Sequence, residues 1–133
     1  MTDLQQKLDE QLAELNLQYL RRLQHELPQI QQQVLALAVD HSANWRERVS
    51  ELLLKFHTFA GSAGTFGLPR LGLMSRQLEL DCKAWLGNQE PPLAIEFKRV
   101  AEVLEQLTVT ELSESLQPAI AARVAREVKG QAL

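Results

Sequence analysis

Apolar residues recur every three or four positions along most of the chain, which is the spacing of helices that bury one face. Over residues 3–16, leucines at this spacing stand among glutamines and predict an amphipathic helix that needs a partner surface. The stripe continues over residues 17–39 and passes through Pro28, whose ring kinks or restarts a helix. We therefore predict an N-terminal helix over 3–16, followed by one bent helix over 17–39.

The middle of the chain contains two further helices joined by a tight turn. The first is predicted to begin near Trp45 and to end at Gly67, a residue able to adopt the left-handed conformation of a helix C-cap. The second is predicted over residues 69–86, because Pro69 suits the first turn of a helix and Gly87 follows the last apolar residue. A connection this short makes the two helices antiparallel neighbours.

The C-terminal third of the chain carries two more apolar stripes. One, over residues 93–107, alternates steps of three and four residues as the helices of a bundle do. The other, over 109–129, is interrupted by Pro118 and is expected to pack on the bundle as a helical extension. The pattern as a whole predicts an all-α fold, an antiparallel up-and-down four-helix bundle over about 17–107 with an added helix at each end, in a single domain spanning 1–133.

Composition and charge narrow the classes of function. The formal net charge is −3, so the chain has no basic surplus to neutralise nucleic-acid phosphates. No apolar run approaches the roughly 20 residues that a membrane span needs. The single cysteine, Cys82, lies in an apolar stripe and is interpreted as a core residue, which fits a reducing, cytoplasmic compartment. His25 and His41 lack carboxylate or thiolate neighbours at ligand spacing, so no metal site is predicted.

The third histidine, His57, stands in a different setting. At 100° per residue it lies on the flank of an apolar helical stripe, next to Phe56, which is part of that stripe. Gly61 and Gly64 follow one and two turns later, although a glycine inside a helix costs about 1 kcal/mol relative to alanine. We interpret the glycines as clearance for a large anion on the ring and for the backbone of a docking partner.

The run HTFAGSAGTFG, followed by LPRL, resembles the phosphorylation motif of histidine-containing phosphotransfer (HPt) domains. In that motif a histidine is followed by a hydrophobic residue, a lysine, a glycine and a stretch of small residues that ends in glycine. The matching residues are His57, Phe59, Gly61, Ser62, Ala63, Gly64 and Gly67. The upstream order of a long helix containing Leu-Pro, a polar turn and an Asn-Trp helix start extends the likeness to roughly residues 17–107.

The resemblance implies a four-helix bundle whose exposed His57 accepts a phosphoryl group from an aspartyl phosphate on one receiver domain and passes it to the aspartate of another. It also implies reaction at the outer ring nitrogen, Nε2, in a phosphocarrier without ATP-dependent kinase activity. No cofactor is implied on this chain, because Mg²⁺ is expected on the partner receiver domain. The implied partners are a response-regulator receiver domain and a hybrid sensor kinase, which the chain is expected to meet as a monomer.

Two positions depart from the family pattern. The lysine usual three residues after the histidine is Ala60, and Glu79 stands where glutamine is frequent, an acid that would repel a phosphoryl group if it pointed inward. Arg76 and Lys83 lie on either side of Glu79 along the same helix face, and we hypothesise that one of them supplies the missing positive charge. The docking patch expected for a receiver domain also includes Leu53, Leu54, Gly61, Gly64, Leu68 and Arg70.

Three other readings of the motif stay open. A degenerate bundle of the same family would bind receiver domains without carrying phosphate. The phosphotransfer domain of a chemotaxis-type kinase uses a related motif and receives phosphate from an ATP-dependent catalytic domain. The dimerising histidine domain of a sensor kinase matches less well, since it usually has an acidic residue directly after the histidine, where this chain has Thr58.

Overall fold

The computed structural model describes residues 2–40 and 43–131, which fold into helices and connecting turns with no strand among them. The helices are α1 Thr2–Val39, α2 Trp45–Ser62, α3 Pro69–Leu86, α4 Ala94–Leu107 and α5 Ser113–Gln131, with a π-helical turn over Thr108–Leu112 between the last two. The all-α class predicted from the apolar spacing is confirmed. His41, for which no ligand role was predicted, lies outside the described residues.

The first helix, α1, runs without interruption for 38 residues, so the predicted boundary between residues 16 and 17 is wrong. No glycine or proline stands at that boundary, and a helix that has nucleated adds one hydrogen bond for each further residue. Pro28 lies inside the helix and is exposed, so water can reach the carbonyl group that its missing N–H leaves free. From Leu17 onward one face of α1 is buried, whereas the leucines before it are exposed.

The core lies between α1, α2, α3 and α4. The second helix packs chiefly against the third, and the first against the fourth. Fully burying one leucine or phenylalanine side chain stabilises the fold by about 1.5–3 kcal/mol relative to leaving it exposed. The largest fully buried side chains are Leu17, Leu20, Leu23, Leu27, Ile30, Leu37, Leu52, Phe56, Leu68, Leu71, Phe97 and Leu104.

Contacts at the helix ends tie α2 to its neighbours. At one end, the hydroxyl groups of Tyr19 in α1 and Ser62 in the last turn of α2 form a hydrogen bond of 2.9 Å. At the other end, the guanidinium of Arg46 in the first turn of α2 donates to the carbonyl oxygens of Leu86 and Asn88, where α3 ends. These contacts place α2 antiparallel to α1 and to α3, and α2 is fastened at both of its ends.

The turn between α2 and α3 differs from the prediction in where the helix stops. The α-helix ends at Ser62, five residues before Gly67, because the next backbone bonds close shorter rings, such as the 3.2 Å bond from the Phe66 N–H to the Ala63 carbonyl. Gly67 itself has φ of +80°, the left-handed conformation predicted for it. The N–H of Leu68 then bonds back to the Ala63 carbonyl at 2.9 Å and closes the turn.

A buried carboxylate from the π-helical turn holds the start of α3. This helix begins at Pro69, as predicted, and its next two N–H groups, those of Arg70 and Leu71, each donate to one oxygen of Glu111 at 2.7 Å. Glu111 is 7% exposed and lies in the π-helical turn. An acid at a helix N-terminus satisfies orphan N–H groups and complements the helix dipole. Glu111 thereby fixes where α3 starts.

The last helix, α5, continues through Pro118, so the predicted interruption there is wrong. Pro118 is exposed, and the carbonyl group that loses a bond partner one turn earlier belongs to the exposed Glu114. The buried Leu112 and Leu116 pack on the core, whereas Val124 further along is 51% exposed. The C-terminal segment therefore covers the core with its first half only.

Candidate functional site

The second helix presents His57 at the edge of its buried face. Phe56 and Phe59 on either side of it in the sequence are buried, whereas 70% of the His57 side chain is exposed. One residue along a helix corresponds to about 100° of rotation, which moves the imidazole from the core to its boundary. The ring is accessible to another molecule, as the apolar spacing predicts.

One nitrogen of this ring is held by the third helix. Nδ1 of His57 lies 2.8 Å from Oε1 of Glu79, whose side chain is largely buried. An ionised carboxylate only accepts hydrogen bonds, so Nδ1 carries the proton and donates it. In the neutral ring Nε2 then keeps the lone pair. This hydrogen bond is the main cause that lowers the pKa of Glu79 from its ordinary value of 4.5; the charges of His57 and Lys83 add to the effect, and burial opposes it.

A lysine shares the same carboxylate oxygen. Nζ of Lys83 lies 3.5 Å from Oε1 of Glu79, one turn along α3, and the lysine side chain is more than half exposed. The negative charge of Glu79 is therefore divided between an imidazole and an ammonium group. In the described part of the chain no ion pair joins Arg76 to Glu79, although both lie on α3. Of the two cations proposed from the sequence, Lys83 is the one that pairs with the carboxylate bound to the histidine.

Open space lies beside the histidine on the side of the glycines. Gly61 is in the last turn of α2, and Gly64 is in the turn that follows, not inside the helix as predicted. Apart from its chain neighbours and the backbone of its own helix, a side-chain carbon added at either position would meet no atom of the described residues within 4 Å. Packing inside this chain therefore does not require glycine at these two positions. Gly72 is different, because a carbon there would lie 3.6 Å from the backbone nitrogen of Gly64, where α3 passes close to the turn.

The residues expected to form a docking patch separate into two groups. Leu68 is 0% exposed, so its assignment to a docking surface is wrong: the tight turn directs this side chain into the core. The others remain at least partly accessible, and Leu54, three residues before His57, is 65% exposed. The accessible members are Leu53, Leu54, Gly61, Gly64, Arg70, Arg76 and Lys83.

Sequence reasoning missed that Glu79 orients the imidazole. From α3 alone, the sequence predicts only that this acid repels a phosphoryl group if it points inward. A usable signal was present, because residues 57 and 79 each lie 11 positions from Leu68 in the turn, and two antiparallel helices place such residues side by side. A second missed contact is the stacking of Tyr19 on Phe66, with ring centroids 4.1 Å apart, which covers the turn from the side of α1.

Other kinds of chemistry find little support in the described residues. Between residues 2–40 and 43–131, no group of three or more His, Cys, Asp or Glu side chains is placed to hold a metal ion. None of the helices in the same residues is long and apolar enough to cross a membrane. Cys82 is fully buried, and burial together with the charges of Asp81 and Glu79 raises the pKa of its thiol to about 12. The thiol is therefore a core group and not a nucleophile.

Comparison with known families agrees with this geometry. A family model described as the Hpt domain matches residues 1–130 of the chain. No curated protein matches the chain, and no solved structure matches it.

Proposed function

Since this chain belongs to the Hpt domain family, we propose that it is a phosphocarrier of a two-component phosphorelay, and that His57 carries the phosphoryl group between aspartates of receiver domains. The observation that carries the proposal is the exposed ring whose Nδ1 is held by Glu79 at 2.8 Å. That contact selects the tautomer in which the outer nitrogen, Nε2, is the nucleophile. The first four helices then serve as the antiparallel bundle that holds the ring in place.

The proposed transfer needs little from this chain beyond position and charge. The Nε2 lone pair of His57 attacks the phosphorus of an aspartyl phosphate, and the N–P bond forms as the P–O bond to the aspartate breaks and restores its carboxylate. The same steps in reverse deliver the group to a second receiver aspartate. Phosphoryl transfer depends mostly on positioning and charge stabilisation, and the receiver domain is proposed to bring its own Mg²⁺.

Glu79 and Lys83 have complementary roles in this scheme. A ring phosphorylated at Nε2 that keeps its proton on Nδ1 is a cation, and the carboxylate of Glu79 at 2.8 Å stabilises that charge. Lys83, whose ammonium lies 3.5 Å from the same oxygen, offsets the acid, and its side chain is more than half exposed, so we propose that it also reaches the phosphoryl oxygens. This placement supports Lys83 as the substitute for the lysine that Ala60 replaces.

The accessible patch around the histidine suits transient docking of a receiver domain or of a hybrid sensor kinase. Gly61 and Gly64 leave room for the backbone of the partner, and the exposed Leu54 offers an apolar contact beside the ring. Modest interfaces of this kind form and dissociate quickly, as a relay requires. Among residues 2–40 and 43–131, Glu79 makes the one hydrogen bond to the His57 ring.

A transfer assay with a matched histidine control tests the proposal. A receiver domain is phosphorylated with a small-molecule phosphodonor and Mg²⁺ and is then mixed with the chain. Wild type is expected to gain an acid-labile, base-stable label, and His57→Gln is expected to lose it while circular dichroism shows an unchanged helix content. His25→Gln, a change at another exposed histidine, should keep the label.

Two results would contradict the carrier role. Persistent labelling of His57→Gln would move the phosphoryl group to another residue. A wild-type chain that binds the phosphorylated receiver but never becomes labelled would instead be the degenerate bundle left open by the sequence.

A further inference from the structure

The phosphorylated form of His57 needs its Nδ1 proton in order to give the phosphoryl group up. When an aspartate oxygen of a receiver domain attacks the phosphorus, the N–P bond breaks and its electron pair returns to Nε2. A ring that still carries the Nδ1 proton then departs as neutral imidazole. Without that proton it would have to depart as an imidazolate anion, which is a far poorer leaving group. The proton that lies between Nδ1 and Glu79, whose atoms are 2.8 Å apart, therefore controls the second half of the proposed relay.

The carboxylate of Glu79 distinguishes the protonated ring from the deprotonated one. An ionised carboxylate only accepts hydrogen bonds, so it can bind the Nδ1–H group but not the lone pair that remains when the proton is lost. At 2.8 Å from Oε1, that lone pair would face a negative charge. An amide at this position would suit both forms, because its oxygen accepts from Nδ1–H and its nitrogen donates to the lone pair. An acid at residue 79 therefore favours the protonated ring in a way that an amide does not.

We propose that Glu79 sets the pH range over which phosphorylated His57 donates its phosphoryl group, by keeping the proton on Nδ1 at a pH where a free phosphoimidazole would lose it. The inference rests on the proposed carrier function and adds a pH range to it. Glu79 acts through the ring and not on the phosphoryl group, so it is a positioning residue. Its own charge persists over the relevant range, because the hydrogen bond to His57 lowers the pKa of Glu79 from 4.5.

Two features of the site limit the size of this effect. The ammonium of Lys83 lies 3.5 Å from the same Oε1 and draws off part of the charge of the carboxylate. The imidazole side chain is 70% exposed, so water and salt screen the attraction. A neighbouring opposite charge shifts a titration by about one to three pH units, and the lower end applies to an exposed contact. One unit is about tenfold in the ratio of protonated to deprotonated ring. Arg76, the other cation on this face of α3, makes no ion pair with Glu79 in the described residues.

The charges of α1 and α2 are not placed to hold the same proton. The residues one turn from His57 on its own helix, at positions 53, 54, 60 and 61, carry no charge. Lys55 is rotated by about 200° from the histidine. It lines a hollow together with Glu26 of α1, so a charge of each sign lies on that flank of α2. Within the described part of the chain, the charged group that binds Nδ1 is therefore Glu79.

A phosphorus NMR titration of the labelled chain measures the midpoint of ring deprotonation. Phosphoramidate places the label on histidine without a receiver domain, and the signal of His57 is identified by its loss in His57→Gln. Glu79→Gln is expected to lower the midpoint by about one pH unit. Lys83→Ala is expected to raise the midpoint, because the carboxylate then faces the ring without a competing cation. The matched control is Glu51→Gln, the same acid-to-amide change at an exposed acid of α2, which should leave the midpoint unchanged.

The rate of transfer from the labelled chain to a receiver domain gives a second readout. From about pH 6 to about pH 9, the ratio of the wild-type rate to the Glu79→Gln rate is expected to grow from near one towards about tenfold. The ratio cancels the pH dependence of the receiver itself. A residue that only orients the ring would give the same ratio at every pH.

The outcomes separate this inference from the carrier function on which it rests. An unchanged midpoint in Glu79→Gln, or a rate ratio independent of pH, would overturn the pH role of Glu79 and leave the carrier function intact. If Glu79→Gln does not fold, a midpoint that Lys83→Ala leaves unchanged would overturn the pH role by itself. A wild-type chain that takes up no label from a phosphorylated receiver would overturn the carrier function instead.

Discussion

Removing the carboxylate of Glu111 should destabilise the fold by an amount that its two hydrogen bonds determine. A hydrogen bond to an ionised group contributes about 1.5–3 kcal/mol. In Glu111→Ala, water can replace the carboxylate at the partly buried N–H of Arg70, so the loss there falls to about 1 kcal/mol. Water cannot replace it at the buried N–H of Leu71, where about 2 kcal/mol is lost. We therefore expect a loss of about 3 kcal/mol, a large share of the 5–15 kcal/mol typical of a domain.

Thermal and urea unfolding, followed by circular dichroism at 222 nm, measures this loss. The melting temperature of Glu111→Ala should fall by about 10 °C or somewhat more, given about 3–5 °C per kcal/mol at this chain length. Glu111→Gln keeps one accepting oxygen and loses the other, so about half the effect is expected. The control is Glu114→Ala, an exposed acid three residues later, which should stay within about 0.5 kcal/mol of wild type. If Glu111→Ala also stayed within that range, the carboxylate would not be holding the start of α3.

Three further predictions concern the third helix. Lys83→Ala should slow phosphoryl transfer to His57 by about two- to fivefold, the size expected of an exposed ion pair, whereas Arg76→Ala should change the rate little. Unchanged rates in both variants would end the hypothesis of a substitute cation. Because the pKa of Glu79 is lowered in the folded chain, its contribution to stability is present above pH 4.5 and is lost as the pH falls through that value and below. Glu79→Gln should therefore weaken the acid-side decline in a plot of the free energy of unfolding against pH. Ser75→Ala should raise the free energy of unfolding by up to about 1 kcal/mol in urea titrations, because the buried hydroxyl of Ser75 has no hydrogen-bond partner in the described residues. A destabilised variant would contradict this prediction.

The features that depend on local spacing were predictable from the sequence. Apolar steps of three and four residues located the buried faces of α2 and α3, and the rotation of one residue from Phe56 exposed His57. Gly67 and Pro69 marked the turn correctly, because left-handed φ values and helix starts are properties of single residues.

The features that depend on two distant segments were not predictable in the same way. Glu111 reaches the start of α3 from a π-helical turn, an element that has no clear sequence signal. Helix continuity at Pro28 and Pro118 depends on whether the proline faces solvent, which requires knowing what packs on the other faces. The orienting role of Glu79 depends on the packing of α2 against α3, which the sequence of α3 alone does not contain.

The bonds of Arg46 to the carbonyl groups at the end of α3 have a consequence for the histidine about 16 Å further along α2. With this clamp at one end and the tight turn at the other, α2 and α3 cannot slide past each other by a helical turn without breaking bonds at both ends. Donor nitrogen and acceptor oxygen thus stay in register before any partner arrives, and docking does not have to spend binding energy on assembling them.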